Sequence, residues 1–397
     1  MNRPSVITPK ERNILLLCLG GAALAFLLYF GLGIFVSRKP VLAVPSGPAE
    51  IAVLCPASGG QAELCQGVQD VIRRTVENNP YDDIEIIVTA YDSGQSPDDT
   101  ASAAARAAQN PNTVAIIGPL DARQVAAAAD SASPYNLIVV SPSSTASTLN
   151  VPAFSNLYRI PAPDDLQGAA IVDVLTRNGT TDVFVIAEEI EFIPPILASF
   201  NTASQNRLRV VGNLLLTDAA SISDAANQVQ ASQAQAVVIL GSASAAKAIV
   251  EGMAAISLHI PVIGTDALNT NAILPLPGSS EIPVLYTSPM LILPAAQDYS
   301  TNEYRQLLGD LSGKPFAYES AQAALMVISV LSVHMQSGTP RQAVYDFLPQ
   351  IQVSGYGGYA YTFNQGQVTP QVIHVYIIDP QASDWLLNPI VYSARLP

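Results

Sequence analysis

Positive charge is scarce in this sequence: 18 lysines and arginines face 32 aspartates and glutamates, a formal charge of −14 at pH 7. So acidic a chain lacks the basic footprint that displaces counterions from phosphates, which excludes a nucleic-acid binder. Histidine is equally rare; the three residues, at 259, 334 and 374, stand isolated in apolar text without metal-ligand spacing. No Gly-x-Ser-x-Gly, His-Glu-x-x-His, phosphate loop or Cys-x-x-Cys occurs, and no base stands beside the many serines. A noncatalytic protein without cofactor or metal is therefore expected. Charged residues make up only 13% against 49% hydrophobic, too little charge for a disordered chain and ample apolar material for one or two cores.

The few basic residues are unevenly placed. Residues 1–40 carry Arg3, Lys10, Arg12, Arg38 and Lys39 against Glu11 alone, a net +4, so the remainder carries −18. Between the basic flanks, Ile14 to Val36 is a run of 23 residues without formal charge. That length crosses a ~30 Å hydrocarbon layer as one helix, and it exceeds the ~7–15 apolar residues of a cleaved signal. The expected arrangement is a tail at 1–13, an uncleaved transmembrane helix at 14–36 and a proline-rich linker at 37–49. The basic tail stays inside, which puts the acidic domain on the outer face of the plasma (inner) membrane. Beyond the membrane segment only Cys55 and Cys65 remain, either bridged or two small buried thiols.

From Glu50 onward, short apolar runs alternate with alanine-rich stretches. IAVL at 51–54, IEIIVTAYD at 84–92, VAIIG at 114–118 and LIVVS at 137–141 read as strands, separated by helices over 64–77, 97–109 and 122–133. Downstream the pattern restarts with strands in DVFVIAEE at 182–189, LRVVGNLLL at 208–216, AVVIL at 236–240 and IPVIG at 260–264. Their helices fall at 165–177, between the first two strands, at 223–232 and at 243–256. Strands apolar on both faces and joined by helices mean right-handed crossovers and a parallel sheet covered on both sides. The fold class is α/β, with two doubly wound parallel-sheet lobes. A late helical block, YESAQAALMVISVLSVHMQ at 318–336, precedes a hairpin reading with its turn at Asn364 to Gly366.

AYDSGQSPDDTASAAARAAQN at 90–110, AIIGPL at 115–120, LIVVSPSSTAST at 137–148, YRIPAPDDLQGAA at 158–170, the stretch 236–266 and GGYAYTFNQGQ at 357–367 follow one another in an order that resembles the type I periplasmic binding proteins. The resemblance is to the branched-chain amino acid binding family that serves ATP-driven importers. It implies lobes joined by a three-strand hinge, with lobe 1 at 50–161 and 288–353 and lobe 2 plus the hinge return at 162–287 and 354–397. It also implies a small ligand, an amino acid or analogue, held in the interlobe cleft and passed to an ABC permease. A ligand-free or sensing module that keeps the fold and acts through another membrane partner is the alternative.

Several residues are candidates for that cleft. By the resemblance, Ser143, Ser144 and Thr145 hold the ligand's carboxylate; by residue type alone they form a polar turn. Asp266 pairs the ligand's ammonium, or caps the segment that follows. Phe316 is an aromatic wall or a core residue, and Arg123 clamps a second carboxylate or sits solvated at a helix start. Three departures from the family pattern stand at Ala122, where related proteins carry a hydroxyl, at 188–196 (EEIEFIPPI), where they carry a Tyr-Gly-containing loop, and at Ser242 and Ala243, where they carry an aromatic ring.

Overall fold

Val- and Ile-rich strands buried on both faces alternate with alanine-rich helices in the computed structural model, which describes residues 45, 47–79, 85–276, 281–292, 303–334, 339–354 and 360–396. The tail, the apolar run Ile14–Val36 and most of the linker lie outside the described residues. Among the described residues no helix is long and apolar enough to cross a membrane.

The first series is β1 (Ala49–Cys55), α1 (Ala62–Glu77), β2 (Ile86–Asp92), α2 (Pro97–Gln109), β3 (Thr113–Ile117), α3 (Ala122–Ala132), β4 (Ile138–Ser141) and β5 (Leu157–Arg159). The second is α4 (Leu166–Arg177), β6 (Asp182–Glu188), α5 (Ile193–Ser204), β7 (Arg209–Leu216), α6 (Ala219–Ser232), β8 (Ala236–Leu240), α7 (Ala243–Ala255), β9 (Val262–Gly264) and β10 (Val284–Ser288). There follow α8 (Glu303–Leu308), α9 (Ala317–His334), α10 (Pro340–Phe347), β11 (Val353–Ser354), β12 (Ala360–Asn364), β13 (Gln367–Thr369), β14 (Gln371–Ile377) and β15 (Ile390–Leu396). Helix starts follow local chemistry: Ser96 Oγ accepts the Asp99 N–H ahead of α2, with Pro97 at its first position.

Two sheets result, ordered β11-β12-β13-β5-β4-β3-β1-β2 and β15-β14-β10-β9-β8-β6-β7. The interior strands of both are parallel, and antiparallel pairing is confined to β11–β12–β13 in one and to β10–β14–β15 in the other. Alternate residues of β1 serve opposite faces. Ile51 and Val53 join the core under α1 and α9, while Ala52 and Leu54 join the one under α2 and α3. In the second sheet Ile186 and Ile239 face α6 and α7, and Val185 and Val238 face α4 and α5. Each such fully buried aliphatic side chain is worth roughly 1.5–3 kcal/mol.

The chain passes between the sheets at three places: residues 160–165 after β5, the stretch after Ser288, and Pro370 between β13 and β14. The second passage returns α9 to the first sheet, where its residues pack with those of α1. Within 354–397, the range expected to form lobe 2 and the hinge return, strands β12 and β13 belong to the first sheet and β14 and β15 to the second. Arg159 explains the difference: its N–H donates to Gly366 O at 2.8 Å and its Nε to Gln367 Oε1 at 2.9 Å, tying the hairpin to β5. The hairpin closes within 360–369, and the strand that follows leaves for the other sheet. Cys55 and Cys65 are bridged, joining the end of β1 to α1 with Cα atoms 5.5 Å apart.

Candidate functional site

At the carboxyl end of β4 the serine-rich loop folds back on the first passage between sheets. Ser141 O accepts the Ile160 N–H at 3.0 Å, and Thr145 O accepts the Asp164 N–H at 2.8 Å. Ser147 Oγ donates to Asp165 Oδ1 at 2.9 Å and accepts the Asp165 N–H at 3.0 Å. The Thr145 hydroxyl hydrogen-bonds the Asp164 carboxylate.

Two residues further on, Gln167 is fully buried in the first turn of α4 and spends both ends of its amide. Its Nε2 donates to Asp266 Oδ1 at 2.9 Å and to Asp164 Oδ1 at 3.4 Å. Its Oε1 accepts the Asp266 N–H at 3.1 Å and the Thr287 hydroxyl at 2.9 Å. The reversed amide would set its oxygen against two carboxylates, so this network fixes the orientation. Gly168 lets α4 lie close on α5, because a Cβ there would run into Ile196 O and Phe200 N.

Asp164 and Asp266 are thus two partly exposed carboxylates sharing one amide donor. Burial and the neighbouring Asp164 charge push Asp266 up to about 7. Asp164 is raised as well, chiefly by burial, against its bond to Thr145 and the Arg159 charge. Arg159 does not reach either carboxylate with a hydrogen bond; its guanidinium donates to Ala146 O and Gln367 Oε1. A cation placed between the two aspartates would relieve their repulsion.

The expected carboxylate-holding groups are mostly engaged. Ser143 Oγ donates to Leu120 O at 3.2 Å, and the Ser144 N–H goes to Ser141 Oγ at 3.1 Å. Ser144 Oγ is buried without a protein partner. Two helix starts that could attract an anion are filled by the chain's own acids. Asp121 Oδ1 accepts from the N–H groups of Arg123 and Gln124 at the head of α3, and Glu188 Oε2 takes the Ser242 N–H at the head of α7. Gly241 permits this, since a Cβ there would lie 2.7 Å from that carboxylate.

The remaining candidates fall outside this cluster. Ala122 packs on the core beneath α3. Arg123 is 86% exposed at its side chain, 3.7 Å from Asp121, and lines a separate groove of about 260 Å³ with Gly94 and Gln95. Ser242 caps α7, its Oγ accepting the Ala245 N–H at 3.3 Å. Phe316, with a positive φ of 57°, packs against the cores of both sheets. Sequence reasoning missed Asp164, Gln167 and Glu188. The signal for the first two was the acid pair in RIPAPDDLQ, directly after a strand end, which reads at sequence level only as a joint between lobes.

Two covered parallel sheets, three passages and a polar cluster at the carboxyl ends of β4 and β9 define a two-lobed ligand-binding domain. The family model described as the receptor family ligand binding region matches residues 70–268, half of the chain, and the chain belongs to that family. No curated protein matches it. Among solved structures, a putative branched-chain amino acid ABC transporter protein from Rhodospirillum rubrum shares 15% identity at a TM-score of 0.72, covering 87% of this chain and 100% of its own. The LivJ substrate-binding protein of Streptococcus pneumoniae, in complex with isoleucine, shares 15% at 0.62, covering 88% and 99%. A solute-binding protein from R. palustris, in complex with benzoate, shares 14% at 0.60, covering 88% and 97%. These likenesses establish the two-lobed fold.

Proposed function

We propose that this protein is an extracytoplasmic solute-binding protein, tethered to the plasma membrane by Ile14–Val36, that closes its lobes on a small amine-bearing ligand such as an amino acid or an analogue. It then presents the ligand to an ABC permease or another membrane partner. Structural neighbours in complex with isoleucine and with benzoate mean that the fold alone does not choose between an ammonium compound and a simple acid. The choice rests on one observation: Asp164 and Asp266 share the Gln167 amide, and among the described residues neither forms an ion pair with a cationic side chain. Closure follows because the Thr145 loop belongs to the first sheet and Asp266 to the second, so a ligand touching both gains contacts only in the closed state.

The test is a thermal-shift series on the full chain with isoleucine, leucine, cadaverine and benzoate as probes. An amine probe raises the melting temperature, because ligand binding to the native state stabilises it, and Asp266→Asn removes the shift. A shift with benzoate alone overturns the cation reading. A second reading, a module that works through its membrane partner without a ligand, is favoured by the helix starts that Asp121 and Glu188 already occupy. It predicts no shift with any probe.

A further inference from the structure

The three passages between the sheets meet around a cavity of about 30 Å³ to which each contributes a proline: Pro161, Pro289 and Pro370. Glu319 and Gln322, one turn apart on α9, line the same cavity, as does His374 on β14. Glu319 is 2% exposed and Gln322 3%. Glu319 Oε1 accepts the N–H of Leu291, a residue of the second passage, at 2.8 Å. Among the described residues its Oε2 finds no hydrogen-bond partner, and neither does Gln322 Nε2.

Unpaired buried polar atoms cost roughly 1–3 kcal/mol each, so two of them beside one cavity call for a common partner. The cavity lining contains no lysine or arginine. Facing Glu319 are Tyr318 on its own helix, Tyr361 on β12 and His374 on β14, together with Tyr304 on α8, whose phenol is raised by burial and by the Glu319 charge. His374 is held neutral, its basicity lowered to about 3 by burial, with Nδ1 2.9 Å from Ser393 Oγ. With no cationic partner among the described residues, the carboxyl is pushed up to about 8 by burial and stays protonated at neutral pH. The neutral acid then offers an O–H and Gln322 offers an N–H, two donors requiring one acceptor with two lone pairs. A water supplies that, and the cavity exceeds the ~10–15 Å³ that a single water needs.

We propose that the hinge contains a built hydration site, in which one water accepts hydrogen bonds from neutral Glu319 and from Gln322 and ties the three passages together, and that loss of the Glu319 proton loosens them. This stands apart from the ligand reading and does not depend on it.

Hydrogen-exchange mass spectrometry of the full chain tests the proton step, with peptides covering 160–165, 289–292 and 371–376 and each rate referred to intrinsic exchange at that pH. Below about pH 6.5 the buried neutral His374 contributes the opposite slope and offsets that of Glu319, so protection of these peptides falls by up to about tenfold per pH unit as pH rises from about 6.5 toward about 8, then levels off. Glu319→Gln keeps the neutral shape and gives pH-independent protection from about pH 6.5 to about 8, with protection below that interval rising with pH through His374 alone. Flat protection in the wild type, or the same fall in both chains, overturns the proton step. A wild-type crystal structure grown at acidic pH, at a resolution that places waters, tests the hydration site without any variant and so decides it even where Glu319→Gln fails to fold. Density for a water within hydrogen-bond distance of Glu319 Oε2 and Gln322 Nε2 supports it; a dry cavity, or Oε2 bonded to a protein atom, overturns it.

Discussion

Gln167 and Asp266 hold each other by a reciprocal pair of hydrogen bonds, the amide nitrogen donating to the carboxylate at 2.9 Å and the aspartate's own N–H returning to the amide oxygen at 3.1 Å. They are 99 residues apart, so α4 and the end of β9 are locked together within the second lobe. The pair places the Asp266 carboxylate beside Asp164 before any ligand arrives, and such preorganisation lowers the ordering cost of binding.

Replacing Gln167 by leucine breaks four hydrogen bonds and leaves the Asp266 N–H and the buried Thr287 hydroxyl competing for fewer acceptors, since Thr287 retains only its 3.3 Å bond to Gly264 O. The expected loss is about 2–3 kcal/mol of unfolding free energy, measured by urea denaturation. The thermal shift from an amine probe should shrink with it, because Asp266 is no longer aimed. Unchanged stability would mean that the network contributes nothing beyond what water supplies.

Much of this architecture was legible from residue order. Helix α2 occupies Pro97–Gln109, as read from the sequence, and β1–β4 and β6–β9 coincide with the eight apolar runs, whereas the parallel strands β5 and β10 fall outside them. The positions of Asp266 and the Ser143–Thr145 loop, just after the buried strands β9 and β4, were likewise readable. What escaped was long-range. Glu188 reaches Ser242 across 54 positions, and no local pattern announces that a helix start is already occupied. The exit of the late hairpin at Pro370 was hidden because Arg159, 208 residues from its partner Gln367, decides which sheet receives it.

Protonation of Asp266 gives the ligand-free protein an unusual pH response. Its carboxyl is raised to about 7, so between its ordinary value and about 7 the folded state binds more protons than the unfolded one. Its stabilising contribution is therefore complete below about pH 4 and is lost as pH rises through about 7. Part of Asp266 remains accessible to water, and screening reduces the effect to on the order of 2 kcal/mol. Asp266→Asn should match the wild type near pH 4 and exceed its stability by that amount near pH 8, read from urea unfolding at both pH values. Amine binding has the opposite slope, strengthening as Asp266 ionises, so the group that costs the free protein stability is the one that rewards the ligand. Parallel curves for the two chains would remove Asp266 from both effects.

Arg341 presents a different kind of buried charge. It is 4% exposed at the start of α10, and its guanidinium donates to three backbone carbonyls: Thr113 O at 2.6 Å, Ala108 O at 2.9 Å and Asn110 O. These bonds tie the turn between α2 and β3 to α10, and burial lowers the guanidinium to about 10. The nearby Glu50 carboxylate, which accepts from Thr89, Tyr91, Asn110 and Thr113, offsets part of the cost of burying that charge. Arg341→Met keeps most of the aliphatic volume and removes every guanidinium donor, leaving Asn110 O only the Thr113 N–H at 3.1 Å, taking the side-chain donor from Thr113 O and Ala108 O, and leaving the Glu50 carboxylate unbalanced. The expected loss is about 3 kcal/mol, with early hydrogen exchange confined to 340–347 and 108–113. Because α10 packs on α9, which also carries Glu319, its loosening should precede opening of the hinge peptides during denaturant titration. Simultaneous opening of both would show that α10 and the hinge unfold as one unit.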